Sequence, residues 1–278
     1  MPVPASPQPD AVSGDASAAA TAEGADEADA VEEAEAWPPG PEGEALAAAE
    51  ERRAFEARVP EVGRALALAA DGDTRGALEL LDSLASTFEN DAHYHFELAV
   101  LLDRTARKLE AVRNAQRAVF LDPRYTGDAE LHAVAERGLL DASSAETAAR
   151  FLGLIVDAPL AERLVRFVLE PTGTLEAARR VYEILEHRGL LDGVPPYLRQ
   201  SLLVVVTEDC AARRALLAGI AAAADGRMWP YLRRFESETG CGRRKRNDCW
   251  PCERPALRAA LAAVSGAAVV AGMSIEPE

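Results

Sequence analysis

From residue 42 onward the apolar positions recur at helical spacing, and strand-like alternation is scarce. In EGEALAAAEERRAFEARV (42–59), Leu46, Ala49, Phe55 and Val59 mark one face of a predicted helix, and Pro60 restarts the pattern. Proline fits the first turn of a helix and breaks its interior. The segment that follows repeats itself. PEVGRALALAADGDTRGALELLDSLASTFEND lies over HYHFELAVLLDRTARKLEAVRNAQRAVFLDPRY at an offset of 34, with Ala65 on Ala99, Leu68 on Leu102, Gly72 on Ala106, Ala77 on Ala111, Leu81 on Ala115 and Leu84 on Ala118. Each unit reads as helix, short turn, helix.

A second repeat with the same offset lies downstream. AARRVYEILEHRGLLDGVPPYLRQ (177–200) and AARRALLAGIAAAADGRMWPYLRR (211–234) share Ala-Ala-Arg-Arg and Pro-Tyr-Leu-Arg in register. Between the two arrays, DAELHAVAERGLL and SSAETAARFLGLIV supply another helical pair, with Ser143 or Ser144 as the candidate N-cap of the second. LLVVVT (202–207) has strand composition, but its place inside the repeat assigns it to a helix.

A period of 34 with small residues at the hairpin contact, closed by AVFLDPRY in which Asp122 and Pro123 stop the helix, resembles the tetratricopeptide repeat over residues 58–125. The chain departs from that pattern at Ala106, where a turn glycine is expected, and at Glu89, where a proline is expected. The Pro, apolar stripe, acidic turn, paired Arg order of PPYLRQSLLVVVTEDCAARRALLAGI (195–220) resembles HEAT-like repeats. The resemblance implies an all-α fold, an α-solenoid of helical hairpins, tetratricopeptide-like and then HEAT-like. The expected organisation is a disordered acidic tail (1–41), a helix plus two tetratricopeptide-like units (42–125), HEAT-like repeats ending in a cysteine-bearing cap (126–265) and a C-terminal tail (266–278). The order of these parts also resembles helical arrays appended to bacterial Hanks-type kinases, although the chain has none of the kinase motifs itself.

Charge narrows the function classes. The net charge is −16, but residues 1–51 hold thirteen acids and no Lys or Arg, leaving 33 acids against 30 bases in the rest. A nearly neutral body argues against a nucleic-acid partner, which needs a cationic face. No apolar run is long enough to span a bilayer and the N-terminus lacks a basic, then apolar, leader, so no membrane partner and a cytoplasmic location are expected. In that setting the cysteines are expected to be reduced.

Catalytic signatures are missing: there is no G-x-S-x-G, phosphate loop or H-E-x-x-H. His93 and His95 are two apart and point away from each other on a helix, leaving His93 and Glu97 as an isolated two-ligand edge. The chain is therefore expected not to be an enzyme and to need no cofactor, zinc being the one candidate.

Binding is expected at two places. In tetratricopeptide arrays the first helix of each unit lines the concave face, which the resemblance places here at Val62, Leu66 and Ala69, then Phe96, Val100 and Asp103. A mainly apolar groove suits an amphipathic helix or apolar peptide of a protein partner. The chain's own helix, 43–58, is the competing occupant. The paired arginines 179/180, 213/214 and 233/234 recur with the repeat and suit either an anionic partner or acids of neighbouring turns.

The last feature is CGRRKRNDCWPCERP (241–255). Cys249 and Cys252 form a C-x-x-C, and the repeat register brings Cys210 and Cys241 to the same edge of the last unit. Zinc held by Cys210, Cys241, Cys249 and Cys252, disulfides among them, and free thiols all fit the spacing. Arg243, Arg244, Lys245 and Arg246 would stand on the constrained loop, open to an acidic partner. The leading expectation is a non-enzymatic adaptor in bacterial kinase signalling; the alternative is a thiol-based redox or metal-responsive regulator using Cys249 and Cys252. The oligomeric state is not encoded in any motif.

Overall fold

A computed structural model describes residues 59–237, 248 and 250–270, and every regular element among them is helical. Twelve α-helices follow one another: α1 Pro60–Ala70, α2 Thr74–Leu84, α3 Ala92–Arg104, α4 Lys108–Leu121, α5 Ala129–Leu140 and α6 Ala145–Ile155. Then come α7 Ala158–Leu169, α8 Leu175–His187, α9 Pro196–Val206, α10 Cys210–Ala223, α11 Trp229–Leu232 and α12 Arg254–Val270. The expected tail 1–41, the helix 42–58, Cys241, Cys249 and the basic run 243–246 lie outside the described residues.

Aspartate places five of the twelve helix starts. Asp73, Asp91, Asp157 and Asp209 each accept from the backbone N–H three residues on, and Asp128 takes those of Glu130 and Leu131. Each carboxylate satisfies amides that the helix leaves unpaired and meets the positive end of its dipole. Pro60, Pro159, Pro196 and Pro230 occupy first-turn positions. The expected serine cap is corrected: Ser144 stands at the N-cap of α6, but its buried hydroxyl donates to Gly138 O at 2.9 Å instead of capping.

The 34-residue offset reappears in the backbone. Gly72 has φ 90° and Ala106 has φ 60°, both left-handed. At each the chain closes the same way, with Gly72 N–H to Ala69 O and Asp73 N–H to Leu68 O in the first hairpin, and Ala106 N–H to Asp103 O and Arg107 N–H to Leu102 O in the second. Gly189, φ 67°, ends α8 with the same pair of bonds, to Glu186 O and Leu185 O. These are Schellman closures, and a non-glycine residue in that position is strained.

Successive helices pack as hairpins, α1 on α2, α3 on α4, α5 on α6, α7 on α8 and α9 on α10. Contacts also join next-but-one neighbours: α3 with α5, α4 with α6, α6 with α8 and α7 with α9. Alanine lines these seams; Ala65, Ala77, Ala99, Ala111, Ala115 and Ala118 are fully buried. Tyr94 and Phe96 are the large buried side chains of α3, and the Tyr94 hydroxyl donates to Leu81 O at 2.9 Å. Burial pushes that phenol up to about 12.

The C-terminal end has two further features. Trp229–Leu232 is a single α-turn followed by a 3-10 turn, Arg233–Phe235, where Phe235 is buried in the core and Arg234 donates to Leu169 O and Gly173 O. The last helix continues to Val270, through the boundary expected at 265, with Ala268 still buried.

Ala106→Gly is expected to raise unfolding free energy by about 0.5–1 kcal/mol, the cost of a left-handed alanine less the extra entropy of glycine. Urea midpoints of the two proteins check this; a lower midpoint would show that the strain at Ala106 is negligible.

Candidate functional site

The C-terminal edge carries the densest chemistry. Cys210, first residue of α10, is disulfide-bonded to Cys252, two residues before α12, with a Cα–Cα distance of 6.4 Å. The repeat register brings these two sulfurs to one edge, and here they are joined, which corrects the expectation that the cysteines are reduced. Because Cys252 is bonded to Cys210, the Cys249/Cys252 pair of the C-x-x-C is not the one closed.

Beneath the disulfide lies a buried ion pair that sequence reasoning missed. Arg213 donates to Glu253 Oε1 at 2.6 Å, and both side chains are about nine-tenths buried or more. Its remaining donors reach Val204 O at 3.1 Å and Thr207 O, which close the end of α9. The guanidinium sits over the Trp250 ring, 4.3 Å from its centroid, and Phe235 meets that ring edge-on. Desolvation of such a pair costs several kcal/mol, which the five-donor fork of arginine offsets by filling its hydrogen bonds. The void among Val204, Arg213, Trp250 and Leu257 is about 10 Å³, enough for one water and not for a ligand.

A second arginine fastens the same segment. Arg254, buried, donates to Phe235 O, Glu236 O and Ser237 O, and to Asp248 Oδ2 at 2.8 Å. This guanidinium, with the Trp250 N–H, holds the Asp248 carboxyl down at about 2.

Metal binding has one candidate cluster among the described residues: Sγ of Cys210 and Cys252 and a carboxylate oxygen of Glu253, all within 4.8 Å of one another. In the bonded state neither sulfur is a thiolate, so the three ligands exist together only after reduction. Glu253 Oε2 lies 2.7 Å from Cys252 Sγ. A bonded sulfur has no hydrogen to donate, so this is a bare contact that becomes a hydrogen bond only when the thiol is regenerated. The His93–Glu97 edge is a buried i, i+4 pair at 3.4 Å, and His93 Nδ1 also meets the Tyr125 hydroxyl at 2.9 Å.

The groove residues divide. Val62 and Phe96 are fully buried in the core. Asp103 is also buried; it accepts from Lys108 Nζ at 2.7 Å and from Arg137 Nη2 at 2.6 Å. Leu66, Ala69 and Val100 do line a cavity of about 240 Å³ between α1 and α3, together with Ala70, Leu101, Glu97, Arg104 and Glu130.

The recurring arginines are largely paired within the chain. Arg180 bridges Glu146 at 2.8 Å and Glu176 at 3.0 Å, and Arg179 pairs with Glu208. Glu136 accepts from Arg163 at 2.7 Å. Arg137 to Asp103 and Arg180 to Glu146 each span 34 residues, the period of the sequence.

No helix among the described residues is long and apolar enough to cross a membrane. No family model, curated protein or solved structure matches the chain.

Arg213→Met is expected to cost about 3 kcal/mol by leaving Glu253 buried without its counter-charge, whereas Arg213→Met with Glu253→Leu should return to within about 1 kcal/mol of the parent. Chemical unfolding of the two variants measures it; equal losses in both would mean that the pair is not energetically coupled.

Proposed function

We propose that the chain is a non-enzymatic scaffold whose hairpins stack as an α-solenoid, tetratricopeptide-like at first and HEAT-like beyond, and that it holds a protein partner by an amphipathic helix. The observation that carries this reading is the cavity between α1 and α3. Its floor is apolar, from Leu66, Ala69, Val100 and Leu101, and its charges come from Glu97, Arg104 and Glu130. That is the pattern an amphipathic helix complements, inserting anchors at i, i+3 or i+4 while its polar flank meets the rim. Two closures 34 residues apart, at Gly72 and Ala106, two ion pairs that each span 34 residues, and the next-but-one helix contacts support the stacked array.

A cytoplasmic setting, expected from the absence of a basic, then apolar, leader, and bacterial kinase signalling, implied by the resemblance of the array, belong to this proposal. A second reading, a thiol-based redox or metal-responsive regulator, rests on Cys210 and Cys252, which are bonded beside Glu253, in place of the Cys249/Cys252 pair that the C-x-x-C suggests.

The test compares immobilised parent protein with Leu66→Glu/Val100→Glu, both positions being half-buried and outside the fully packed core. After circular dichroism confirms equal helicity, a partner retained by the parent should fall at least about tenfold on the variant, since two buried carboxylates oppose an apolar anchor. Identical captures by both proteins, or none by either, would contradict the reading.

A further inference from the structure

The two sulfurs of the Cys210–Cys252 disulfide stand in different surroundings. Cys252 is exposed, whereas Cys210 is half-buried. Cys210 opens a helix of 14 residues, where unpaired amides and the dipole favour a thiolate. The neighbouring Asp209 carboxylate is engaged in capping Ala212 N–H at 2.7 Å. Cys252 has the opposite environment. Glu253 Oε2 lies 2.7 Å from its Sγ, so a negative charge on that sulfur would face a carboxylate. Arg213 donates to the far oxygen, Oε1, and stacks on Trp250, which keeps the carboxylate fixed against the sulfur.

Exchange rate depends on access to the attacked sulfur and on the acidity of the one that leaves. Both favour one direction. We propose that this disulfide is an S-thiolation site for low-molecular-weight thiols, attacked at Cys252 with Cys210 as leaving group. In the step, the thiolate sulfur of the small thiol forms a bond to Cys252 Sγ as the Sγ–Sγ bond breaks. The bonding pair departs on Cys210 as thiolate, giving the mixed disulfide on Cys252. A second small thiol then releases Cys252 as thiol and leaves as its own symmetric disulfide, which accounts for both electrons. Arg213 to Glu253 and Arg254 to the 235–237 carbonyls do not involve either sulfur, so α12 stays docked while the sulfur bridge opens.

This rests on the second reading above and is independent of the groove, whose test reads partner capture alone. The experiment uses the full chain with Cys241→Ser and Cys249→Ser, so that Cys210 and Cys252 are the two cysteines that remain. The oxidised protein is exposed briefly to reduced glutathione, quenched in acid, alkylated and mapped by peptide mass spectrometry. The expected result is glutathione on Cys252 with alkylated Cys210, exceeding the reverse product by about tenfold. Equal or reversed products, a bond that resists glutathione, or purified protein lacking the Cys210–Cys252 bond would each overturn the proposal.

Discussion

At Gly138 three helices meet with no room for a methyl group. A Cβ there would lie 2.6 Å from Val112 Cγ2 of α4 and 3.2 Å from Ala148 Cβ of α6, closer than packed carbons approach. The same closeness runs through the chain. Where aromatics make up only 5% of residues, the core cannot be filled by bulk, and it is filled by bringing backbones together over fully buried alanines. Hairpins this close bury apolar area along their length, at little cost in side-chain entropy.

Close backbones also explain the charges. When layers approach, an arginine on one hairpin reaches a carboxylate on the next, as Arg137 reaches Asp103, Arg163 reaches Glu136 and Arg180 reaches Glu146. A partly buried pair gains little net stability over an apolar replacement, but a mismatched layer would strand one charge. We read these pairs as register marks for the stacking. The most enclosed of them, Arg213 with Glu253, joins α10 to the segment before α12, where the disulfide adds a covalent tie across 42 residues.

Legibility followed distance along the chain. The hairpins were readable because their causes are local: aspartate caps, first-turn prolines and the 34-residue recurrence that proved to be a recurrence of left-handed closures at Gly72 and Ala106. Cys210 and Cys252 were readable at one remove, since helix lengths alone carry both to one edge. Glu253 and Trp250 were not, because their partner Arg213 lies 37–40 positions away and an arginine pair looks the same whether solvated or buried. The one available signal was Arg213 falling in register with Arg179, which marks an inter-hairpin position. The burial of Val62, Phe96 and Asp103 was not readable for a similar reason: the family pattern identifies the inner helix of each unit, but the neighbouring layer decides which of its faces is covered.

The helix packing depends on closeness of approach, and Gly138→Ala tests that closeness with a single methyl group. In an ordinary helix interior this substitution stabilises by about 0.5–1 kcal/mol. Here the added Cβ must displace Val112 and Ala148, and equilibrium urea unfolding should show a loss of about 1–3 kcal/mol. A midpoint unchanged or raised would contradict the close seam on which the helix packing depends.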